Sequence, residues 1–313
     1  MAISIGSAVG AGFRLVGRRP VSVMSWGFFL YLAIFLLLAI GVAIVGLPLL
    51  AKLGSLGTAT PDRAQSAQLV TQVMIALWPA LLLGMIGGVV IGAMVQAAVV
   101  RSMLETGQAS FASLRFGAAE VALILLTLLY IPICFVVFLV SGGVIAGVAF
   151  VGHAIGGIGG NLLIFFGCVA YGLVFMWVAL RFSLAAPMTF AERRVRFFGS
   201  WALTKGEGWR LFGLAWVMVL VWMGVTIAYS MVSGIVNAIF TGGAMASVMA
   251  SSGGATPDAN ALMAHWPVLL LAYIPTFLMG AAFNGVMQAI SMGPWVDVYR
   301  QLVGPTDVAT TFS

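Results

Sequence analysis

The chain alternates between long apolar stretches and shorter polar connections, and this pattern predicts membrane-spanning helices. A helix needs about 20 predominantly apolar residues to cross the hydrocarbon core of a bilayer. Such stretches occur six times, at Val21–Leu47, Val73–Val100, Val121–Val148, Leu162–Leu180, Leu211–Phe240 and Pro267–Met292. Pro20, a residue that suits the first turn of a helix, stands directly before the first of them. The pattern therefore predicts an all-α membrane protein with six transmembrane helices.

The third and fourth spans come from one stretch without charged side chains. Between Val121 and Leu180 there is no Asp, Glu, Lys or Arg, and 60 residues are too many for one crossing. We expect the turn in the glycine-rich segment Gly152–Asn161. A broken or re-entrant helix over Gly142–Gly160 is the alternative, and lipid tolerates such a backbone only where protein or water covers it.

Composition excludes a soluble fold. Hydrophobic residues make up 62% of the chain and charged residues only 7%, whereas a soluble domain carries roughly 25% charged residues. The net charge of +6 therefore points to membrane orientation and not to nucleic acid, since basic residues in short loops fix orientation. The apolar stretch Val21–Leu47 is also longer than a signal-peptide core of roughly 7–15 residues, so we expect a retained first helix.

The basic residues divide very unevenly between the two sides of the predicted membrane. Only Lys52 and Arg63 fall on one side. Twelve fall on the other: Arg14, Arg18, Arg19, Arg101, Arg115, Arg181, Arg193, Arg194, Arg196, Lys205, Arg210 and Arg300. Lys and Arg accumulate in cytoplasmic loops, so the sequence predicts a multi-pass protein of the bacterial inner membrane with both termini in the cytoplasm.

Short motifs recur at a constant offset and predict an internal repeat. Gly12-Phe13-Arg14-Leu15-Val16-Gly17 resembles Gly208-Trp209-Arg210-Leu211-Phe212-Gly213, and Ala59-Thr60-Pro61-Asp62 recurs as Ala255-Thr256-Pro257-Asp258. We therefore expect one integral membrane domain over residues 1–313, built from three hairpins of the same orientation at about 12–101, 109–184 and 192–300. Parallel repeats of this kind are related by an axis along the membrane normal. Chance similarity between apolar stretches is the alternative.

Signatures of catalysis or of metal and cofactor binding are missing from the sequence. It contains no His-Glu-x-x-His, no phosphate-binding glycine loop and no Cys-x-x-Cys. Cys134 and Cys168 stand inside apolar spans, where we expect packing thiols. The sequence thus predicts a protein that is not an enzyme and has no cofactor or metal.

Polar and small residues inside the spans are candidates for helix contacts. Gln96, Asn284 and Gln288 are intramembrane amides, for which hydrogen bonds between helices are the expected role and substrate binding the alternative. Gly84, Gly88 and Gly92 recur every four residues. Such a stripe lets helix backbones approach closely, so it predicts a packing face toward another helix, a partner protein or a second copy.

The segment between the fourth and fifth spans mixes basic and aromatic side chains. The candidates for binding lipid or a partner are Arg193, Arg194, Arg196, Trp201, Lys205, Trp209 and Arg210. This mixture is typical of an amphipathic helix in the headgroup layer, here interrupted at Gly206 and Gly208. Phe111–Phe116 is a second candidate for such an element. The alternative is that the basic residues serve only as topology anchors that extend to the headgroups.

The same region resembles a known family. The residues concerned are Arg181-x-x-Leu184-x-x-Pro187, then Glu192, then Ser200-Trp201-x-Leu203-Thr204-Lys205-Gly206-x-Gly208-Trp209-Arg210, together with Leu114-Arg115-Phe116-Gly117-x-x-Glu120. This pattern resembles the membrane domain of the glycerophosphoryl diester phosphodiesterase family and related bacterial membrane proteins. That family takes its name from a fused soluble catalytic barrel, which these 313 residues do not contain. The resemblance therefore implies a helical membrane module without the phosphodiesterase reaction.

Two functions from different classes follow from these features. The first is a non-enzymatic membrane module that binds lipid headgroups or a partner protein at its cytoplasmic face. The second is a transporter or permease component for a lipid-like or small hydrophobic substrate. A mid-membrane cavity lined by Gln96, Asn284 and Gln288 would favour transport, and a solid core with a basic cytoplasmic groove would favour the module.

Overall fold

A computed structural model of the protein describes residues 3–41, 43, 63–104, 117–251 and 264–304. Every regular element in these ranges is helical. In chain order the helices are α1 (Ile5–Arg18), α2 (Pro20–Gly41), α3 (Arg63–Leu104), α4 (Ala118–Ile155), α5 (Gly157–Arg181), α6 (Ala185–Glu192), α7 (Gly199–Leu203), α8 (Gly208–Asn237), α9 (Gly243–Ser251) and α10 (Trp266–Val303). The candidate segment Phe111–Phe116 lies outside the described residues.

Six of the helical segments are long and apolar enough to cross a membrane, as the sequence predicted. They are Pro20–Gly41, Leu81–Leu104, Ala118–Ile155, Gly157–Glu192, Gly208–Ser251 and Trp266–Val303. Their surfaces carry many exposed large apolar side chains, such as Phe138 and Phe150, which only a lipid environment can cover without a large hydrophobic cost. The chain is therefore a polytopic α-helical membrane protein.

Two details of the helices depart from or refine the sequence prediction. The fifth apolar stretch was expected to end at Phe240, but a π-helical turn at Ala238–Gly242 leads directly into α9. Alanine and methionine are good helix formers, and they outweigh the two glycines there. The glycine-rich run after Gly142 stays helical up to Ile155, and the turn uses Gly156 and Gly157, whose φ angles are +69° and +59°. This position agrees with the predicted turn and not with a re-entrant helix.

The chain forms two compact units. Unit 1 comprises residues Met1–Arg19, Gln96–Met223 and Ala289–Ser313, and unit 2 comprises Pro20–Val95 and Gly224–Gln288. Every described Lys and Arg except Arg63 belongs to unit 1. The predicted superposition of three parallel hairpins stays a prediction.

In unit 1, α1 packs against the C-terminal part of α10 through glycine. A Cβ atom added to Gly293 would lie 2.6 Å from the Cα atom of Gly12, so only glycine permits this approach. The hydroxyl of Ser7 donates a hydrogen bond of 3.0 Å to Asp297, and the amide N–H of Ser4 donates to the side chain of Gln301 at 2.7 Å. These contacts join the beginning and the end of the described chain.

In unit 2, α2 packs against the first part of α10 in the same manner. Gly27 and Gly285 face each other so closely that a Cβ atom on either would collide with backbone atoms of the opposite helix. Farther along, the ring of Phe277 receives edge contacts from Phe28 and Tyr31, with centroid distances of 6.1 and 5.5 Å. Close backbone approach and interlocking rings replace the hydrophobic driving force that lipid does not provide between helices.

Candidate functional site

The candidate site lies in unit 1, where the chain passes from α5 to α8 through two short helices. Ser200, which is fully buried, holds this passage together. Its Oγ donates to the carbonyl oxygen of Arg181 at 2.7 Å and accepts from the amide N–H of Leu184 at 3.2 Å. One hydroxyl thus satisfies backbone groups at the C-terminal end of α5 that would otherwise lack partners.

Two buried threonines fix the rest of the passage. The hydroxyl of Thr204 donates to the carbonyl oxygen of Ser200 at 2.9 Å, which closes α7. The hydroxyl of Thr189, on α6, accepts from the amide N–H of Arg196 at 3.2 Å. Between these points Arg193 adopts the left-handed conformation with φ +53° and ends α6. Residues 193–198 are therefore not helical, and the helical part of the basic segment is shorter than predicted.

The guanidinium group of Arg181 lies between two indole rings. Its central carbon is 4.9 Å from the ring centroid of Trp177 and 5.6 Å from that of Trp201. Nη1 donates a hydrogen bond of 2.5 Å to the carbonyl oxygen of Thr204. Nε is buried and has no hydrogen-bond partner among the described residues. Planar stacking suits arginine better than lysine, so this group is held in one orientation.

The five basic candidates form a surface that we name the basic surface: Arg193, Arg194, Arg196, Lys205 and Arg210. All five are exposed. Arg196 pairs with Glu192 at 2.6 Å and Arg210 pairs with Glu207 at 2.9 Å. The other three basic side chains form no ion pair with a described carboxylate. The basic surface therefore keeps a net positive charge after its own ion pairs are counted.

Aromatic side chains accompany the basic surface and remain largely uncovered. Trp209 is 78% exposed, Phe198 77% and Trp201 44%. Trp209 lies 5.9 Å from Trp177, and Phe182 stacks on Phe197 at 4.5 Å, measured between ring centroids. Indole rings prefer the membrane–water interface, so exposed tryptophans beside exposed arginines fit the level of the headgroups.

Sequence reasoning missed one ion pair in unit 1. Arg101, at the end of α3, donates a hydrogen bond to Glu120 in the first turn of α4, and the Glu120 side chain is only 1% exposed. The guanidinium group of Arg101 also lies 5.5 Å from the ring centroid of Phe190. The signal was present in the sequence, because Glu120 is the last charged residue before the uncharged stretch Val121–Leu180.

Among the described residues, no hydrogen bond between helices involves the intramembrane amides, and their predicted role stays a prediction. Asn284 donates at 3.5 Å to the carbonyl oxygen of Gly280 in its own helix. Gln96 and Gln288 are half-buried and form no hydrogen bond within the part of the chain that the structure describes. Gln96 belongs to unit 1, whereas Asn284 and Gln288 belong to unit 2.

The described residues show no close packing at the glycine stripe, and neither cysteine is fully buried. Cβ atoms added to Gly84, Gly88 and Gly92 would meet nothing within 4 Å in the described chain, so a partner protein or a second copy at this face stays a prediction. Cys134 is exposed and Cys168 half-buried, and both are free thiols. Among the described residues no three His, Cys, Asp or Glu side chains come together as a metal site.

Comparison with known proteins gave no relative. No family model matches the chain, and neither the curated proteins nor the solved structures contain a match. The resemblance to the glycerophosphoryl diester phosphodiesterase membrane domains stays a prediction. The Ser200-to-Arg210 motif has a local structural role nevertheless, because its Ser200 and Thr204 build the passage just described.

Proposed function

We propose that the protein is a non-enzymatic membrane module of the bacterial inner membrane that binds anionic lipid headgroups at its cytoplasmic face. The observation that carries the proposal is the unbalanced positive charge of the basic surface in a stretch of sequence that also exposes two tryptophans. Arg193, Arg194 and Lys205 are exposed and have no carboxylate partner among the described residues. Trp201 and Trp209, which lie in the same stretch of sequence, are also exposed.

Electrostatics and desolvation both favour this binding mode. A Lys or Arg near an anionic leaflet contributes about 1 kcal/mol of attraction, so three such residues contribute about 3 kcal/mol if all reach the headgroups. Exposed indole rings gain by entering the interface. An acidic protein partner could pair with the basic residues. A bilayer in addition buries the exposed apolar rings of Trp209 and Phe198.

Lipid retention in purified protein tests the proposal. The triple variant Arg193→Gln, Arg194→Gln, Lys205→Gln removes the three unpaired charges. We expect a salt-sensitive loss of retained phosphatidylglycerol, measured by native mass spectrometry, with helicity and orientation unchanged. The expected weakening is roughly 100-fold, which corresponds to about 3 kcal/mol.

A matched control removes the same number of charges elsewhere in unit 1. The variant Arg14→Gln, Arg18→Gln, Arg19→Gln changes α1 and the residue that follows it, and leaves the basic surface intact. We expect a clearly smaller loss of phosphatidylglycerol from this control. Equal losses from the two triple variants, or no loss from the first, would contradict the proposal, because basic residues that only set topology act through their number alone.

A further inference from the structure

Arg101 and Arg181 occupy the same position in two similar motifs but differ in their anionic partners. Each arginine lies in the last turn of a long helix and begins an Arg-x-x-Leu sequence, with Leu104 and Leu184 as the last residue. Each guanidinium group lies against an aromatic ring. Arg101 has a carboxylate partner in Glu120. No described carboxylate forms an ion pair with Arg181.

The free hydrogen-bonding capacity of Arg181 is concentrated on one edge of its guanidinium plane. Nη1 is used by the carbonyl oxygen of Thr204. Nε is buried without a partner, and Nη2 forms no hydrogen bond with a described residue. Nε and Nη2 together are the side edge that binds two oxygens of one phosphate or carboxylate group. The unused donors thus form a complete bidentate fork.

The surroundings of Arg181 fix the orientation of its guanidinium group and make unbonded donors on it energetically unfavourable. The side chain is half-buried between Trp177 and Trp201, which limits the water available to its charge. A buried donor without a partner is destabilising. The carbonyl groups at the end of α5 do not use it. Ser200 donates to the carbonyl oxygen of Arg181 itself, and the amides of Phe182 and Ser183 donate to the carbonyl oxygens of Ala179 and Leu180.

We propose that the Nε–Nη2 edge of Arg181, held between Trp177 and Trp201, is a binding site for a phosphate group. Phospholipid phosphate at headgroup level and phosphate from the aqueous phase share this chemistry. The tryptophans place the site at the depth of lipid headgroups. The inference rests on the proposed function and deepens it, since it adds one specific phosphate site to a diffuse basic surface.

The test uses the full chain purified in detergent and the substitution Arg181→Lys. Lysine keeps the charge but loses the planar fork and the stacking on the indole rings. We expect phosphatidylglycerol to bind about 10-fold to 100-fold more weakly to this variant, as for the loss of a charge-assisted hydrogen bond. The matched control is Arg18→Lys, the same substitution at an exposed arginine of α1 outside the basic surface, which should change the affinity less than about twofold.

Two further titrations separate the sources of phosphate. Diacylglycerol, which has the acyl chains but no phosphate, should bind equally to the wild-type chain and to Arg181→Lys. Displacement of phosphatidylglycerol by millimolar inorganic phosphate would identify the aqueous phase as a source, and lack of displacement would identify the lipid. The proposal would be overturned if Arg181→Lys bound both phosphatidylglycerol and inorganic phosphate as tightly as the wild-type chain. It would also be overturned if the substitution weakened diacylglycerol binding as much as phosphatidylglycerol binding.

Folding of the variant is checked by circular dichroism, and a second measurement needs no variant. In protein labelled with ¹⁵N at arginine Nε, phosphatidylglycerol should shift one Nε–H resonance strongly, and diacylglycerol should not. Absence of such a shift in the wild-type chain would also overturn the proposal. The two proposals fail separately: Arg181→Lys tests the fork, while the triple variant of Arg193, Arg194 and Lys205 tests the basic surface.

Discussion

The hydroxyl of Ser200 donates a hydrogen bond of 2.7 Å to the carbonyl oxygen of Arg181, 19 residues earlier in the chain. Both groups lie inside the passage between α5 and α8, and Ser200 is fully buried. The same oxygen accepts from the amide N–H of Leu184. A single side chain therefore sets the position of α7 relative to the end of α5, and with it the position of Trp201 beside the guanidinium group.

Ser200→Ala should destabilise the protein by about 1–3 kcal/mol, because it leaves a buried donor and a buried acceptor without partners. Unfolding in mild detergent, followed by circular dichroism, measures the change. The control is Ser233→Ala, where an exposed hydroxyl bonds only Ser230 of its own helix. That substitution should stay within about 0.5 kcal/mol, and equal effects of the two would mean that the Ser200 contacts are unimportant.

The candidate segment was chosen from the sequence, but the hydrogen bonds inside it could not be predicted. A mixture of arginine and tryptophan identified the segment, because charge and aromatic content can be read without contacts. The positions of Ser200 and Thr204 could not be read as hydrogen-bond partners of Arg181, since those bonds join residues 19 and 23 positions apart across a turn. The left-handed conformation of Arg193 was also invisible, because arginine rarely adopts it.

The crossing of α2 and α10 gives a second test of packing, within unit 2. Gly285→Ala should destabilise the protein by about 1–3 kcal/mol, because the new methyl group would meet the carbonyl oxygen of Val23 and backbones must move apart. Thermal unfolding in detergent measures the loss. Gly234→Ala is the control, since its Cβ would meet nothing within 4 Å.

Alanine at position 234 should leave stability unchanged or raise it slightly, because alanine has a higher helix propensity than glycine by about 1 kcal/mol. The two glycines thus have opposite expected signs for the same substitution. A Gly285→Ala variant as stable as wild type would show that α2 and α10 do not approach as closely as the structure has them.

Because Arg101 and Glu120 form a buried ion pair, replacing the Glu120 carboxylate by an uncharged amide should lower the stability strongly. Glu120→Gln should destabilise the protein by about 3 kcal/mol, since it breaks a mostly buried ion pair with Arg101 by removing one of its two charges. Chemical unfolding in detergent is the measurement. The double variant Arg101→Gln, Glu120→Gln should be less destabilised than the sum of its single variants, because the two residues interact directly.

Additive losses in that double variant would contradict the assignment of Glu120 as the partner of Arg101. Glu207→Gln serves as the control for removing a carboxylate, since the ion pair of Glu207 with Arg210 is at the surface. Pairs of this kind contribute about 0–1 kcal/mol.

The six spans could be predicted from the sequence because lipid imposes length and apolarity on every crossing. The ends of the helices were harder to predict. α4 runs to Ile155 and α8 continues through a π-helical turn into α9, because helix ends depend on local glycine geometry and packing more than on hydropathy. The pairing of α2 with α10 at Gly27 and Gly285 was not predicted at all, since single glycines in a chain with 39 of them carry no positional signal.

The orientation of the six spans is the last prediction, and it follows from the distribution of basic residues. Twelve Lys and Arg stand on one side of the predicted topology against two on the other. Reporter fusions after residues 110, 200 and 310 should give a cytoplasmic signal, and fusions after residues 60, 157 and 255 a periplasmic one. The fusion after residue 200 is decisive, because it places the basic surface. A periplasmic signal there would overturn both the topology and the proposed binding of cytoplasmic-leaflet lipid, since anionic lipids attract basic segments at that leaflet. The triple variant Arg193→Gln, Arg194→Gln, Lys205→Gln should keep the orientation, because nine basic residues on that side still exceed the two opposite.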